Sequence, residues 1–407
     1  MHAKDLTCVL LAGGKSTRLG AEKASLPFGR GTLTERAVRK LKALSQDVIL
    51  VGNPKIVPEG VRLVEDVFPG RGPLGGIHAG LAAARSDKVL VFACDIPFAP
   101  VSLLRFICDT ATAHENADAV VPQVKGEYEP TVAVYSKKCL KPIEAVLEAR
   151  DRPRIIEFFP QVRVFALLEA EVVRFGDPEL LFFNVNSKED YLKALGILGY
   201  PPVLCVSGPS GSGKTTLICA LVKELVSRGR RVAVIKHHRG DFDLDIAGKD
   251  TWLYREAGAK SVGMVGSCRS AFVSYVDRPL TLSAAAGRFC RFDIGFDTSL
   301  PDLVLAEGFA SDPALRLVVL GRDGDPRGLG LGNQKNDPSV FESSGVMALV
   351  TGGDSPIPEA WAQKVKGGVR ILDRSDSPSI ADFIEEALLS IWERAKKQRS
   401  PRIRARR

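Results

Sequence analysis

The chain has 407 residues, enough for two or three domains rather than one. A hydrophobic share of 45% supplies sizeable cores, while no apolar run approaches the roughly 20 residues that cross a bilayer, so no membrane partner is expected. The formal net charge of +8 points first to nucleic acid, but eight basic residues and no acid lie between Arg394 and Arg407, and without them the chain is neutral; residues 394–407 read as a solvated, disordered tail, and no specific nucleic-acid partner is expected.

Met1-His2-Ala3-Lys4-Asp5 passes at once into Leu6-Thr7-Cys8-Val9-Leu10-Leu11, which leaves no room for a signal peptide and reads as a buried strand. In the loop that follows, Gly13, Gly14 and Gly20 allow sharp turns and close approach of a ligand to the backbone. Lys15, Arg18 and Lys23 add three cations to a loop whose free N–H groups can hold an anion. A strand entering such a loop is a phosphate cradle; a surface loop with solvated charges is the weaker alternative. Strand-like runs at 47–52, 61–64 and 89–93 alternate with helix-like stretches, the pattern of an α/β fold with a mostly parallel sheet. Ligands of open α/β sheets bind outside the carboxyl ends of the strands, so the glycine loop, Asn53, Asp66 and Asp95 converge on one edge. Asp95, just past a strand and held by Pro97, suits a Mg²⁺ ion that also takes phosphate oxygens. A helix N-cap, with Pro97 and Pro100 opening the next helix, is its structural alternative. Gly70-Arg-Gly-Pro-Leu-Gly-Gly-Ile77 is a second glycine-rich loop, and Phe182-Phe-Asn-Val-Asn186 carries two asparagines that turn chemistry alone would explain.

Gly196 to Pro202 forms a short break, which divides the chain into domains at 1–199 and 200–393. Val203-Leu-Cys-Val206 then runs into Ser207-Gly-Pro-Ser-Gly-Ser-Gly-Lys-Thr-Thr216. Gly208, Pro209, Ser210, Gly211, Ser212, Gly213, Lys214 and Thr215 fit the P-loop pattern, with Thr216 next and Leu217, Leu221 and Leu225 on one helical face. Loop amides wrap a β-phosphate, Lys214 reaches the β and γ oxygens and Thr215 ligates Mg²⁺, so this half is expected to bind a purine nucleoside triphosphate. His237 and His238 suggest a metal site with Asp241 and Asp243, but neighbours on an extended segment point opposite ways, which favours a polar switch region. Glu307 closes the apolar run Asp302–Glu307, where it can hold a magnesium-bound water or a switch loop. Ile380, Phe383, Ile384, Ala387, Leu388, Ile391 and Trp392 sit at helical spacing behind a Ser377-Pro378 start, a stripe for core packing or an oligomer seam. Cys8, Cys94, Cys108, Cys139, Cys205, Cys219, Cys268 and Cys290 form no Cys-x-x-Cys pair and read as reduced thiols of a cytoplasmic protein.

Leu11-Ala-Gly-Gly-x-Ser-x-Arg-x-Gly-x-x-Lys23 resembles the signature of nucleotidyltransferases that activate small molecules, and among them the molybdenum cofactor guanylyltransferases (MobA type). The Gly-Pro-Leu-x-Gly and Asn-x-Asn segments resemble the same family, so the likeness runs through the first half. It implies a Rossmann-like nucleotidyltransferase sheet with GTP and molybdopterin as substrates. Leu11, Ala12, Gly13 and Gly14 are then implied to contact the guanine nucleotide. Lys23, Asn53, Asp66, Gly75 and Asp95 complete that pocket, while Asn184 and Asn186 lie on the acceptor side. Catalysis falls to Arg18, Lys23 and a Mg²⁺ ion on Asp95. The implied acceptor, a phosphate monoester, is mostly a dianion at neutral pH and needs no general base.

In the second half, Lys236-His-His238, Gly248-Lys-Asp250, Arg255-x-x-Gly-Ala259 and Glu307-Gly-Phe309 resemble the MobB-type accessory GTP-binding proteins, which implies a P-loop NTPase sheet. The family's paired His before Asp is Arg239-Gly240 here, its Pro before Gly-Lys-Asp is Ala247, and its later Lys-Ile-Glu is replaced by Leu315-Arg-Leu317. The two likenesses together imply a bifunctional fusion in which the second domain, with at most weak GTPase activity, assists cofactor maturation or delivery. Its implied partners are molybdoenzyme apoproteins and other cofactor biosynthesis proteins, and a homo-oligomer is left open. Two rival readings are a cytidylyl or sugar nucleotidylyltransferase, and a GTP-switched cofactor carrier without transferase activity.

Overall fold

A computed structural model describes residues 6–12, 25–52, 57–238, 249–265, 270–276, 279–288, 300–321, 345–352, 357 and 369–398. They divide into two compact units that meet in the chain at Ala194 and Leu195, with Pro27–Arg30 belonging to the second.

The first unit alternates strands and helices. β1 (Thr7–Leu11) is followed by helix Leu33–Lys42, β2 (Asp47–Val51), β3 (Arg62–Val64), helix Pro73–Ala83, β4 (Lys88–Ala93) and helix Val101–Ala113. Then come β5 (Ala119–Val124), β6 (Glu127–Tyr128), β7 (Val132–Ser136), helix Leu140–Ala149 and β8 (Val164–Leu168). The sheet order is β3-β2-β1-β4-β7-β5-β6, with β8 beside β5. β1 to β4 pair in parallel, whereas β7 runs antiparallel to both β4 and β5. The sheet is therefore more mixed than the strand–helix alternation predicts. One cause is local: Lys125 and Gly126 both adopt positive φ (51° and 82°), the two-residue turn that folds β6 back antiparallel on β5.

Period-two burial gives this sheet two cores. Cys8, Leu10, Val48, Leu50, Leu90 and Phe92 face helices Leu33–Lys42 and Val101–Ala113. Val9, Leu11, Ile49, Val51, Val89 and Val91 face helices Pro73–Ala83 and Leu140–Ala149. Helix Leu33–Lys42 starts on a capping box between Thr32 and Glu35 and buries Ala37, Val38 and Leu41.

The second unit is built on a fully parallel sheet. Its strands are β9 (Val203–Ser207), β10 (Val232–Lys236), β13 (Leu303–Glu307), β14 (Leu315–Val319), β15 (Val346–Thr351) and β16 (Arg370–Asp373), in the order β10-β13-β9-β14-β15-β16. A separate antiparallel hairpin pairs β11 (Ser261–Val265) with β12 (Ser270–Ser274). Helix Lys214–Ser227 buries Leu217, Ile218, Leu221 and Leu225.

The C-terminal stripe differs from its expected form. Its cap is Asp376, whose carboxylate accepts from Ser379 N at 3.0 Å, and helix Ser377–Ile384 gives way to a π-turn at Glu385–Leu389 before helix Ser390–Lys397. Glu385 opens that turn and accepts from Arg228 Nη1 (3.0 Å) and Arg230 Nε (2.7 Å). The wider turn moves the buried row on by one position, so that Leu389, Trp392 and Ala395 are inside and Ile391 is only half-buried. Arg394, Lys396 and Lys397, expected in a disordered tail, belong to this helix, and Lys396 lies over the Trp392 ring at 4.1 Å. Residues 399–407 fall outside the described residues. No helix among the described residues is long and apolar enough to cross a membrane.

Candidate active site and nucleotide site

After β1 the chain steps outward to β2 and β3, then returns to β4 on the other side of β1. Strand order thus reverses between β1 and β4, where open α/β sheets leave a ligand crevice. The ends of the two strands are tied together, with Cys94 N donating to Leu11 O at 3.1 Å. Ala12 N in turn donates to Val51 O at 3.0 Å, so Leu11 and Ala12 enter the glycine loop from a fixed position. Asp95 is the second residue beyond β4 and is half-buried. Its carbonyl accepts from Val185 N at 3.0 Å, which brings the Asn184-Val185-Asn186 segment to its side. The turn chemistry expected of those asparagines is present as well. Asn184 Nδ2 donates to Phe182 O (3.3 Å), and Asn186 N donates to Asp190 Oδ2 (3.2 Å).

Asp66 lies just past β3. Its carboxylate accepts from Phe68 N at 2.9 Å and rests against the first turn of helix Pro73–Ala83. A Cβ on Gly75 would fall 2.8 Å from Asp66 Oδ1, so glycine is required there by close approach. The next residue, Gly76, lies against Leu11 Cδ2 (3.1 Å from an ideal Cβ), which sets this turn over the end of β1. Burial pushes the Asp66 carboxyl above the usual carboxylate range, opposed by the Phe68 N–H and by His78. Leu11, Ala12, Asp66, Gly75, Asp95 and Asn184 thus gather on one edge. Gly13, Gly14, Lys15, Arg18, Gly20, Lys23 and Asn53 lie outside the described residues.

In the second unit β9 turns at Ser207 into the loop that starts helix Lys214–Ser227, with Gly211 and Gly213 at φ +76° and +85°. Those left-handed turns aim successive amides toward the loop's concavity. The Thr215 hydroxyl lies 2.9 and 3.0 Å from the two oxygens of Glu307, at the end of the adjacent strand β13. Lys236 Nζ stands 3.3 Å from the same carboxylate, and Lys214 Nζ donates to Pro209 O at 2.5 Å. Gly308 and Phe309 follow at φ +90° and +50°, the latter uncommon for a bulky residue. His237 and His238 are both exposed; His237 packs on Phe309 with ring centroids 4.9 Å apart, and Asp241 and Asp243 lie outside the described residues.

A family model described as "MobA-like NTP transferase domain" matches residues 8–164. The chain is 36% identical over 193 residues to the molybdenum cofactor guanylyltransferase of Desulfosudis oleivorans, which spans 46% of this chain and 94% of that protein. A "Probable molybdenum cofactor guanylyltransferase" of Pelotomaculum thermopropionicum is 40% identical over 190 residues, 46% of this chain and 91% of that protein. The chain belongs to the molybdenum cofactor guanylyltransferases. Behind that domain a second family model, "Molybdopterin guanine dinucleotide synthesis protein B", matches residues 203–334. There the "Molybdopterin-guanine dinucleotide biosynthesis adapter protein" of Haemophilus influenzae is 35% identical over 187 residues, 46% of this chain and 89% of that protein. The polypeptide therefore joins a nucleotidyltransferase of molybdenum cofactor biosynthesis to a MobB-like P-loop domain.

Around both sites of this guanylyltransferase–MobB chain stand residues that motif spacing did not single out. In the guanylyltransferase domain His78 is buried, pairs through Nε2 with Glu144 Oε1 (2.9 Å) and meets Phe68 edge-on at 5.1 Å. A histidine in an otherwise glycine- and leucine-rich helix was the visible signal. In the MobB-like domain Arg374, just after β16, donates to Ser212 O of the P-loop at 2.6 Å. Arg316 is buried under the loop, donating to Ser207 Oγ and Ala310 O at 3.1 Å each and also to Asp312 O. Arg316 occupies one of the positions where the sequence departs from the MobB pattern, and the buried network shows what the departure does. No sequence signal marked Arg374, because its loop partner lies 162 positions away.

Proposed function

We propose that the first domain transfers GMP from GTP to the terminal phosphate of molybdopterin, and that the second binds GTP on its P-loop and assists maturation or delivery of the product. The observation that carries the first reading is Asp95, held between the end of β1 and the Asn184–Asn186 segment. In the reaction a phosphate oxygen of molybdopterin attacks the α-phosphorus of GTP. The bond from that phosphorus to the bridging oxygen breaks, and pyrophosphate leaves. The attacking monoester has a second pKa of about 6, so it arrives as a dianion and no protein base is needed. The obstacle is bringing two polyanions together, and the task of the site is positioning and charge stabilisation.

Within this reading Leu11, Ala12, Asp66 and Gly75 shape the guanosine side, Asn184 and Asn186 the acceptor side, and Arg18 and Lys23 act on the phosphates. No group of three or more His, Cys, Asp or Glu residues able to hold a metal occurs among the described residues. A single carboxylate at Asp95 fits magnesium, which fills its octahedron from phosphate and water. Such an ion would offset charge as it builds on the phosphates. In the second domain the Thr215 hydroxyl and the Glu307 carboxylate take that part, and the loop amides with Lys214 hold the phosphates. Molybdoenzyme apoproteins and other cofactor biosynthesis proteins are the partners this arrangement serves, in the cytoplasm.

Incubating the purified chain with molybdopterin, Mg²⁺ and each nucleoside triphosphate tests the transferase reading. Pyrophosphate release and dinucleotide formation are expected with GTP; preferential release from CTP would overturn the base assignment. Normal product formation by an Asp95→Ala chain would remove Asp95 from the reaction, and no product from any triphosphate would favour a carrier role instead.

A further inference from the structure

Helix Leu33–Lys42 lies under the β1–β4 edge and carries two cations one turn apart, Arg36 and Lys40. Both donate to the same acceptor: Arg36 Nε lies 3.0 Å and Lys40 Nζ 2.8 Å from the carbonyl oxygen of Pro97. Lys40 also sits over the Phe92 ring, 5.5 Å from its centroid, on the strand that ends two residues before Asp95. Packing for stability alone does not account for this pair. Like charges at i and i+4 repel, and burial, with Arg36 adding to it, pushes the Lys40 ammonium well below its ordinary pKa. An unbranched apolar side chain at position 40 would cover Phe92 without that cost.

The carbonyl they share closes the Asp95 turn. Cys94 N is held by Leu11 O, Ile96 N approaches Ala93 O at 3.4 Å, and the Asp95 carbonyl is taken by Val185 N. Pro97 O, two residues beyond Asp95, is a further anchor of this turn.

We propose that Arg36 and Lys40 are positioning residues for guanylyl transfer, a two-donor clamp on the Pro97 carbonyl that fixes the direction of the Asp95 carboxylate. The inference rests on the assignment of Asp95 to the reaction. The clamp touches neither substrate. It acts through the turn, and misplacing a reacting group by about 1 Å can cost up to about a hundredfold in rate.

The test measures kcat, KM for GTP and thermal midpoint on the full chain, for Lys40→Met, Lys40→Arg, Arg36→Gln and the Arg36→Gln/Lys40→Met double variant. Lys40→Met is expected to lower kcat about tenfold with KM within about threefold, because the rest of the pocket still holds the nucleotide while the reacting groups are misaligned. Its thermal midpoint is expected to hold or rise, since a buried like-charge contact is removed. Lys40→Arg should restore most of the rate, because a guanidinium can still donate to Pro97 O. The double variant should lose more than the product of the single losses, each donor having covered for the other. An unchanged kcat in the double variant overturns the clamp, and so does a rate loss that only follows a fallen thermal midpoint. An Asp95→Ala chain measured alongside separates the two readings. If it keeps full rate the Asp95 assignment fails, and if it alone loses rate only the clamp fails.

Discussion

The two domains each end a central parallel strand in a glycine-bearing loop and set a carboxylate at the end of the neighbouring strand, but they gather the parts differently. In the second domain one unbroken stretch, Gly208 to Thr215, supplies the cradle, and the distant carboxylate of Glu307 stands 2.9 Å from the Thr215 hydroxyl. In the first, Ala12, Asp66, Gly75, Asp95 and Asn184 arrive from five segments. Tertiary contacts join these segments, such as Val185 N on Asp95 O or the Asp66 carboxylate against Gly75. A contiguous cradle withstands changes elsewhere in its domain, whereas an assembled one depends on every segment keeping its place. Substitutions outside the chemistry should therefore damage transfer more readily than nucleotide binding on the P-loop.

The sharpest way to separate the domains is Asp95→Ala. It should cut guanylyl transfer by about a hundred- to a thousandfold while leaving GTP binding at the P-loop unchanged, read by product formation and equilibrium titration. The converse variant, Lys214→Ala, removes a charge-assisted hydrogen bond of about 2 kcal/mol. It should weaken GTP binding at the second site about thirtyfold, with transfer kcat untouched; a fall in kcat would show the sites to be coupled. Gly75→Ala tests the assembled site away from the reacting atoms. Its methyl would displace the Asp66 carboxylate or the helix start, costing about 1–3 kcal/mol of stability by overpacking and raising KM for GTP, measured by denaturant melts and steady-state kinetics.

The smallest expected effect concerns Glu129, in the loop before β7 whose Thr131 O accepts from Ala93 N at the end of β4. Burial lifts its carboxyl to about 7. A raised folded pKa means the native state binds the proton more tightly than the unfolded chain, so stability falls as pH climbs through about 7. Glu129→Gln should match the parent near pH 4 and melt higher at pH 8; equal midpoints at both pH values would contradict the assignment.

What the sequence revealed follows the same division. Buried parallel strands are unbroken apolar runs, so β1, β2, β4, β9 and β13 could be read directly, and the P-loop is legible because its spacing is local. Asp95 and Glu307 were singled out as candidates because each is a carboxylate closing an apolar run. The antiparallel half of the first sheet was missed because its signal is the left-handed Lys125-Gly126 turn, a pair with weak turn preference. The π-turn was missed because heptad-like spacing assumes an unbroken α-helix. Lys40 and Arg374 make their contacts to backbone carbonyls far along the chain, and Arg316 reaches the Ser207 hydroxyl 109 positions away; no local pattern reports such partners.

The most direct measurement is mass spectrometry of the dinucleotides formed from molybdopterin and equimolar GTP and CTP with Mg²⁺, by the full chain and by its Asp95→Ala variant side by side. The account predicts molybdopterin guanine dinucleotide from the first and no product above background from the second. A cytosine dinucleotide as the main product, or undiminished guanine product from the variant, would contradict it.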